Sequence, residues 1–462
     1  MFRQTAWMLI PAALPLAAYT TPLGAAASTV APGPHAYRFT AIETLGNSAP
    51  GGGAFTNDFE PSAINNSGEV AFTADIDSSG DEGSFIAKGR QVTQIMRAGL
   101  SAPGGATFGP GEMGRMGLND PGDVAVGFLL NPFDPTLPLG DNAGVFRFSG
   151  HTGALTGVEL PGAQAPGGGT FKGTYVNMGI NNRGQIVYQG LATGSAVDSA
   201  ANYNGMALAL YEQGKDGTNH RVVGPGDPAP GGHVFDDAWN GSLNNAGDIA
   251  FSGHVVGDPC INIGVPFACG DSLYLRHGTS GAIQSIAHQG DPAPGGSTFT
   301  VAFGGLVNSR DQVAFVGGLT SPANTYGVFR YADGKVSYIA RPGDPMPGGG
   351  AFQSASDNAG TFGLNNRGDV SFAATLNTDT TGDGLNDTAV YVDANGALRL
   401  VARSGTVIPG VGTISRLGQF FNPSSLGPLY GTGGMINNVG QVLFNATLTD
   451  GKGVLLVATP TS

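Results

Sequence analysis

Two short phrases recur seven times each along this chain, and this repetition limits the fold more than any other feature. Each repeat opens with a G-x-x-x-P-G phrase, which begins at Gly46, Gly99, Gly162, Gly226, Gly290, Gly343 and Gly405. An asparagine-rich phrase follows each time, as in NNSGEVAF (65–72) and NNAGDIAF (244–251), and successive copies lie about 53 to 72 residues apart. Self-similarity of this kind is typical of a repeat architecture in which each copy is one structural unit.

Each unit is predicted to form four strands. The first strand follows the glycines, the Asn-Asn-x-Gly turn closes a hairpin onto the second strand, and a variable loop leads to the third. In the fifth unit the third strand is GVFRY (327–331) and the fourth is VSYIARP (336–342), joined by a short ADGK turn. With 78 glycines, 30 prolines and only 12% charged residues, the composition favours short strands over helices.

The two ends of the chain hold the two parts of one unit. YRFTAIETLG (37–46) resembles a fourth strand with nothing before it, and GVLLVATP (453–460) resembles a third strand with nothing after it. If the N-terminal strand completes the last unit, the array closes into a ring without open sheet edges. We therefore predict an all-β, seven-bladed β-propeller of four-stranded blades over residues 37–460. An open β-solenoid or two packed sheets is the alternative.

The first 27 residues are predicted to be a signal peptide. Arg3 supplies the positive charge, an apolar run follows, and Ala25-Ala26-Ala27 offers a cleavage site. Residues 28–36 are then a linker, and no later stretch is long and apolar enough to span a membrane. We expect a secreted protein, extracellular or periplasmic, and a monomer. The formal net charge of −13 argues against a nucleic-acid partner.

The cysteines and the proline–glycine phrases are predicted to be structural. Cys260 and Cys269 lie nine residues apart, and in an oxidising compartment this spacing predicts a local disulfide. A zinc site that uses both thiolates with His277 or His288 is the alternative. The aspartates of the GDPxPGG phrases are expected to cap turns rather than to act as catalytic acids. These aspartates are Asp227, Asp291 and Asp344.

The fourth unit departs most from the repeat. His233 follows Pro-Gly-Gly, where every other unit has glycine, alanine or serine. His254 lies three residues after Phe251, and no other unit has a histidine at that position. Trp239 is the only tryptophan outside the predicted signal peptide. Because His233 begins the first strand and His254 ends the second, we expect both histidines at the end of the hairpin away from the asparagine turn.

The same face of the propeller is expected to hold Tyr326 and Arg341 of the fifth unit. Imidazole titrates near neutral pH, a tyrosine can exchange a proton, and an arginine can neutralise a carboxylate. This set suits β-elimination in a uronic-acid polysaccharide. A base removes the C5 proton, an acid protonates the leaving O4, and a cation neutralises the carboxylate.

Three further residues are predicted to bind this substrate. They are Trp239, Arg330 and Arg276. Arg330 or Arg276 is also the alternative to Arg341, since other repeats carry an arginine at the position of Arg341 and this residue can be structural. No cofactor is expected for catalysis.

Two resemblances to known families add expectations. The repeats resemble those of exported bacterial proteins with tandem NxxGxxAF repeats, sometimes called choice-of-anchor proteins, over most of residues 37–459. This resemblance implies export and a repeat fold but no chemistry. The order of the four site residues resembles that of the seven-bladed ulvan lyases. By that resemblance His233 and His254 handle protons, Tyr326 donates or accepts one, and Arg341 neutralises the carboxylate.

The segment DTTGDGLND (379–387) is similar to a calcium-binding loop. The side chains at positions 1, 3, 5 and 9 and a main-chain carbonyl at position 7 provide oxygen ligands. They belong to Asp379, Thr381, Asp383, Asp387 and, through its carbonyl, Leu385. Val390 stands where the bidentate acid belongs. The segment predicts either a structural calcium ion or a solvated acidic turn.

Two function classes follow from these patterns. The first is a secreted polysaccharide lyase whose partner is an acidic, ulvan-like polysaccharide. The second is a non-catalytic extracellular propeller that binds glycan or protein through its loops. The signatures GxSxG, HExxH and the phosphate-binding P-loop are absent from the sequence.

Overall fold

The structure is a computed structural model, and it describes most of the repeat region. The described residues are 37–77, 81–112, 115–132, 142–174, 177–193, 206–259, 272–322, 325–355, 362–394, 396–418 and 435–461. The predicted signal peptide (1–27), the linker (28–36) and both cysteines lie outside these ranges, so the predictions about them stay open. In the described ranges, no helix has the length and apolar character needed to cross a membrane.

The chain forms seven separate antiparallel sheets, which confirms the all-β, seven-bladed propeller. The first strand and the sheets of blades 1 to 3 come first in the chain. They comprise β1 (Tyr37–Thr44); β2 (Phe55–Ile64), β3 (Val70–Ile76), β4 (Asp81–Lys88) and β5 (Gln91–Arg97); β6 (Thr107–Glu112), β7 (Gly117–Leu118), β8 (Val124–Asn131), β9 (Ala143–Phe148) and β10 (Leu155–Glu159); β11 (Thr170–Gly173), β12 (Gly179–Ile180), β13 (Ile186–Thr193), β14 (Met206–Gln213) and β15 (Asn219–Val223).

A single turn of 3-10 helix, Pro230–Gly232, precedes blade 4. The strands of blades 4 to 7 complete the ring. They comprise β16 (Trp239–Leu243), β17 (Ile249–Gly253), β18 (Ser272–Arg276) and β19 (Ile283–Ala287); β20 (Pro292–Ala293), β21 (Ser297–Val307), β22 (Val313–Leu319), β23 (Thr325–Ala332) and β24 (Lys335–Ala340); β25 (Phe352–Ala355), β26 (Phe362–Leu364), β27 (Val370–Leu376), β28 (Thr388–Ala394) and β29 (Ala397–Arg403); β30 (Val407–Ile408), β31 (Gly412–Leu417), β32 (Val442–Leu448) and β33 (Gly453–Pro460).

The ring is closed by the pairing of the two chain ends, as predicted. β1 runs antiparallel to β33, with Tyr37 opposite Pro460 and Thr44 opposite Val454. The sheet of blade 7 therefore contains the first strand of the chain at one edge. This pairing satisfies the backbone groups of β33, which would otherwise form an open edge.

Aromatic residues from neighbouring strands form the core of each blade. In blade 5, the rings of Phe315 and Phe329 stack at 5.4 Å, and Phe299 meets Phe329 edge-on at 5.0 Å. Phe235, Phe251 and Tyr274 repeat the arrangement in blade 4. Apolar clusters that join adjacent blades fill the space between the sheets. The last residue of each NxxGxxAF phrase, which is aromatic in six blades and Val126 in blade 2, is thus a core residue.

The first asparagine of each turn phrase links its blade to the next. Its Nδ2 donates a hydrogen bond of 2.9–3.0 Å to the main-chain oxygen of the corresponding asparagine in the following blade. The series runs through Asn65, Asn119, Asn181, Asn244, Asn308, Asn365 and Asn437, and returns to Asn65. We call this closed series the asparagine ring. It places the asparagine turns of all blades around the propeller axis.

Candidate functional site

The proline–glycine turns lie at the other end of the strands and share one design. Asp227, Asp291 and Asp344 each accept a hydrogen bond of 2.8–2.9 Å from the backbone N–H three residues earlier. The prediction that these aspartates cap turns is confirmed. Their carboxylates hold the chain where one blade passes to the next.

In several blades an arginine at the end of the outer strand holds the turn that opens the same blade. Arg97 donates to the Gly52 carbonyl at 2.8 Å, and Arg403 donates to the carbonyl of Gly348. Both arginines lie two residues before the glycine that starts the next repeat. We call this position the clamp position.

Arg341 occupies the clamp position of blade 5. Its Nη1 donates to the Gly295 carbonyl at 3.0 Å, and its guanidinium lies 3.9 Å from the centre of the Tyr338 ring. Asp344 lies 3.7 Å away and contributes an ion pair. The structure gives Arg341 a scaffold role that its counterparts share. A role in neutralising a substrate carboxylate would require these contacts to open.

Blade 4 carries a histidine at the clamp position, where blades 1, 5 and 6 have an arginine, and a second histidine where the other blades have a small residue. His288 occupies the clamp position, and His233 follows the Pro-Gly-Gly turn that an arginine would hold. The two rings face each other with their centres 6.1 Å apart. His233 is exposed, and the Nε2 atom of half-buried His288 lies 3.1 Å from the carboxylate of Asp258. The predicted partner of His233 was His254, but the described contact of His233 is with His288.

His254 lies beneath this pair and is only 4% exposed. Its Nδ1 atom lies 3.4 Å from the carboxylate of Asp236, and its Nε2 atom lies 3.2 Å from the main-chain oxygen of Asp258. The backbone N–H of His254 donates to the carboxylate of Asp237 at 2.9 Å. Burial by itself lowers the pKa of His254, but the contact with the Asp236 carboxylate and the charges of Asp237 and Asp236 outweigh it and raise the pKa.

Five residues thus form a continuous chain of contacts from solvent into the core of blade 4. We call it the blade-4 His–Asp network, and it consists of His233, His288, Asp258, His254 and Asp236. The sequence prediction included both His233 and His254, named His288 only as an alternative zinc ligand, and missed Asp258 and Asp236. One signal could have found His288, because it replaces an arginine at the clamp position. Asp258 and Asp236 fall outside any repeated phrase, so the sequence offered no signal for them.

Two exposed valines border the network. Val234 and Val256 are 40% and 59% exposed, and the backbone N–H of Val256 donates to the Val234 carbonyl at 2.9 Å. The same bond holds the residue next to His233 against the segment that follows His254. The network therefore opens beside a small apolar surface.

Trp239 and Tyr326, two further residues of the predicted site, share one packed apolar cluster. Trp239 is 1% exposed and belongs to the same apolar cluster as Phe303. Tyr326 is half-buried against this cluster, with its ring 6.0 Å from that of Phe303. The indole of Trp239 is therefore enclosed and offers no free face to a sugar. Tyr326 stands opposite Gly318 in the sheet, at the same end of blade 5 as the proline–glycine turns.

Arg276 and Arg330 lie at the opposite end of their sheets. Arg276 pairs with Ile249, the first residue of β17 after the asparagine turn, whereas His254 follows the last residue of that strand. Arg330 forms an ion pair of 3.0 Å with Asp393 and donates to the carbonyl of Gly368. Third strands run towards the asparagine turns, so residues at their C-terminal ends lie away from the network. The two predicted substitutes for Arg341 are thus separated from the histidines.

The carboxylates of the 379–387 loop bind backbone N–H groups of the loop and the side chain of Arg403. Asp379 accepts backbone hydrogen bonds from Gly382 and Gly384 at 2.7 and 2.9 Å. Asp387 is 1% exposed and forms an ion pair of 2.7 Å with Arg403. Of the other predicted ligands, Asp383 accepts from the backbone of Leu385, and Thr381 bonds to Asp379. Nowhere in the described chain are three His, Cys, Asp or Glu side chains grouped to hold a metal ion. Calcium at this loop stays a prediction.

The repeat region as a whole matches one family model. Residues 35–460 match a family of unknown function, DUF7453. This protein belongs to that family. No curated protein matches it.

Several solved structures are similar to this chain at low sequence identity. An oligogalacturonate lyase in complex with manganese is 12% identical, with a TM-score of 0.46 over 92% of this chain and 98% of that one. An ulvan lyase bound to -[GlcA(1-4)Rha3S]- is 12% identical, with a TM-score of 0.42 over 91% and 98%. A putative TolB from Agrobacterium tumefaciens is 10% identical, with a TM-score of 0.35 over 80% and 95%. Such scores carry no inference about the chemistry of this DUF7453 member.

Proposed function

We propose that this protein is a secreted polysaccharide lyase that cleaves a uronic-acid-containing, ulvan-like glycan by β-elimination. One observation carries the proposal, namely the blade-4 His–Asp network. It joins two accessible imidazoles to a buried, carboxylate-paired histidine at the end of the propeller that holds the proline–glycine turns. A reaction that moves a proton from carbon needs a base with such support.

His233 is the proposed base because it is exposed and stands beside a second imidazole. His288, when protonated, is a cation held in place by Asp258, and it replaces Arg341 as the proposed partner of the substrate carboxylate. His254 does not reach the surface. It fixes the main chain at Asp258 and is a positioning residue rather than a catalytic one.

The proposed reaction is balanced by one proton gained and one proton lost by the protein. His233 takes the C5 proton, and the C–H electron pair becomes the C4=C5 double bond. The C4–O4 bond then breaks, and the leaving oxygen takes a proton from the hydroxyl of Tyr326. Bulk water returns the second proton to Tyr326 and accepts the first from His233.

The test is to mix the purified protein with a panel of acidic polysaccharides and to follow the ultraviolet absorbance of the unsaturated uronate product. We expect activity on a uronate polymer, and a loss of about 10²–10⁴-fold in His233→Ala and in His288→Ala. His151→Ala is the matched control, because His151 is an exposed histidine in a turn of blade 2. Formation of no unsaturated product on any uronate polymer would refute the lyase.

A non-catalytic, glycan-binding or protein-binding propeller is the second candidate. It is favoured by the position of Arg341, whose guanidinium is occupied by Gly295, Tyr338 and Asp344. Binding of an acidic polysaccharide, measured by calorimetry, without any change in absorbance would favour this candidate. Loss of that binding in both histidine variants would place the binding surface at the same rim.

A further inference from the structure

Exposed charged side chains are distributed unequally between the two ends of the propeller. In the described ranges, the asparagine-turn end carries more exposed lysines and arginines than exposed carboxylates. These residues lie in the asparagine turns, in the turns between third and fourth strands, and at the strand ends beside them. The basic ones are Arg38, Lys88, Arg90, Arg183, Lys215, Arg310, Lys335 and Arg367, and the acidic ones are Asp216, Asp311 and Asp333.

The proline–glycine end has the opposite charge. Its exposed lysine, arginine, aspartate and glutamate side chains, within the part of the chain that the structure describes, are Asp291, Asp379, Asp383, Asp450 and Lys452. The asparagine-turn end is thus positive on the surface of a protein whose formal net charge is −13. A surface of one sign attracts ligands of the opposite sign, even where the whole protein carries the same sign as the ligand.

The exposed cations at the asparagine-turn end are not all neutralised by carboxylates. Among the described residues, Arg90, Arg183 and Arg310 form no ion pair. Asp311 follows Arg310 in the chain, but its carboxyl group is hydrogen-bonded to that of Asp248. These three guanidinium groups are therefore available to an anionic ligand.

Three arginines meet at the asparagine turn of blade 6. Arg310 of blade 5 donates from Nη1 to the main-chain oxygen of Arg367 at 3.3 Å, and Arg330 donates to the Gly368 carbonyl at 2.9 Å. Buried carboxylates pair with two of the three, Asp393 with Arg330 at 3.0 Å and Asp369 with Arg367 at 2.6 Å.

The side chain of Arg367 is nevertheless 49% exposed. A carboxylate or sulfate above this turn can accept hydrogen bonds from both Arg310 and Arg367, and bonds of this kind between opposite charges are the stronger ones in proteins. We call the residues Arg310 and Arg367 with Gly368 the basic turn.

Large apolar side chains are rare at the asparagine turns. Of those that are exposed in the described residues, only Val439 belongs to such a turn. Proteins that lie on a membrane insert apolar side chains into the lipid, and protein interfaces are anchored by aromatic residues. A hydrated polymer with many separated negative charges needs neither. The exposed cations lie on five of the seven blades, so one chain of such a polymer can contact several of them.

We propose that the asparagine-turn end binds an acidic polysaccharide, with its strongest contact at the basic turn. Arg310 and Arg367 bind one carboxylate or sulfate group, and the unpaired guanidinium groups of Arg90 and Arg183 bind others along the chain. This surface is independent of the proposed lyase, because it lies at the opposite end of the strands from the blade-4 network. It attaches the protein to the polymer and leaves the proline–glycine end accessible.

The experiment measures binding of heparin and of polygalacturonate by titration calorimetry, with uncharged dextran as the control polymer. The full chain is used, both unmodified and as His233→Ala, in which cleavage by the proposed lyase cannot remove the ligand. We expect binding of at least one acidic polymer at low ionic strength and none of dextran. In 1 M salt, where the screening length falls to about 3 Å, the binding should be lost or greatly weakened.

Two outcomes of this titration would overturn the proposal. One is that neither acidic polymer binds at low ionic strength. The other is that the protein binds vesicles of phosphatidylglycerol but neither polymer, which would identify a lipid surface as the ligand.

The variant Arg183→Ala/Arg310→Ala tests the surface itself. Alanine is compatible with this turn position, because Ala246 occupies it in blade 4, so the melting temperature should stay the same. Loss of two exposed ionic contacts should weaken polymer binding by about 10-fold at low ionic strength.

The matched control is Lys172→Ala/Lys452→Ala, which removes the same charge from the proline–glycine end. Its affinity should stay within about twofold of the unmodified protein, because these lysines lie away from the proposed surface. Equal weakening in the two double variants would show that only net charge matters and would overturn the proposed surface.

The result for His233→Ala separates this surface from the lyase proposal. We expect it to bind the acidic polymer as the unmodified protein does, and we expect Arg183→Ala/Arg310→Ala to keep any lyase activity on short oligosaccharides. Binding that is present in the unmodified protein and absent from His233→Ala would place the polymer at the blade-4 network and contradict this inference. A protein that forms no unsaturated product would refute the lyase without affecting the binding test.

Discussion

The two ends of this propeller hold the seven blades together through different contacts. At the asparagine-turn end, one residue type repeats in every blade, and each side chain meets its counterpart in the next blade. At the proline–glycine end, an arginine holds the turn in several blades, but blade 4 has His288 there instead. Loss of a ring asparagine breaks a bond to another blade, whereas a turn held within one blade can change without breaking such a bond. Function can therefore arise more easily at the second end.

Ring closure should have the largest effect on stability. Removal of residues 1–44 deletes β1 and exposes the edge of β33, whose residues Val454 to Ala458 are buried. We expect a loss comparable with the whole stability of a domain, ~5–15 kcal/mol, together with self-association through the free edge. Thermal unfolding and light scattering measure both. Removal of residues 1–36 is the control and should change neither; equal behaviour of the two truncations would show that closure is unimportant.

Disruption of the asparagine ring should have the second-largest effect on stability. Asn244→Ala removes the bond to the Asn308 carbonyl and the acceptor for the backbone N–H groups of Ala246 and Asp248. Because these groups are buried or half-buried, we expect a loss of about 3 kcal/mol or more in the free energy of unfolding. Chemical denaturation measures it. Asn245→Ala, at the next residue, removes the acceptor for the backbone N–H of Asn182 and should cost only about 1 kcal/mol. Equal losses in the two variants would contradict the special role of the ring.

His254 should give a pH-dependent effect at the other end. Its pKa is raised in the folded protein, so its stabilising contribution is complete below its ordinary pKa and is lost as the pH rises through the raised value. His254→Asn should therefore cost about 1–3 kcal/mol in mildly acidic solution and less in alkaline solution. Denaturation curves across this pH range measure the difference. A penalty that grows with pH would show that His254 is buried in its neutral form.

One position at the asparagine-turn end breaks the repeat. Asp311 has a φ of 57°, where the other blades have a glycine with positive φ. Its pKa is raised by partial burial and by the nearby charge of Asp248, and the pKa of Asp248 is lowered. Asp311→Gly should stabilise the protein by about 0.5–1 kcal/mol at neutral pH.

The gain from Asp311→Gly should shrink in acid. A raised pKa means that the Asp311 contact is favourable below the ordinary carboxyl pKa and is lost as the pH rises through the raised value. The melting temperatures of the variant and the unmodified protein should therefore approach each other at about pH 4. A stabilisation that is constant with pH would leave backbone strain as the whole cause.

The smallest effect is expected for His233→Gly. His233 is exposed, and its described contact is with the ring of His288. The substitution restores a residue found at this position in other blades, so the free energy of unfolding should change by less than about 0.5 kcal/mol. Thermal unfolding checks this. A larger loss would mean that the imidazole pair supports the scaffold, and it would weaken the proposed catalytic role.

Only some of the residues of the candidate site could be predicted from the sequence. The repeat alignment singled out His233 and His254, because both replace the residues that other blades carry. It did not reveal that His254 is buried or that His233 faces His288, since the two rings belong to segments that are 55 residues apart. It also could not distinguish a tryptophan that is exposed to a sugar from one that is enclosed, and the structure encloses Trp239.

By itself, the sequence determined the number of blades, the order of their strands and the closure of the ring. These properties depend on local signals, such as turn residues and alternating apolar residues, which are repeated in every unit and therefore confirm one another. Only the tertiary structure decided what the repeated asparagines do. Their turn chemistry is visible in one repeat, but their side chains bond to the next blade, 54 to 72 residues along the chain, and back to the first across 372 residues. The composition of the blade-4 network was decided in the same way, because contacts between distant segments depend on how the blades pack.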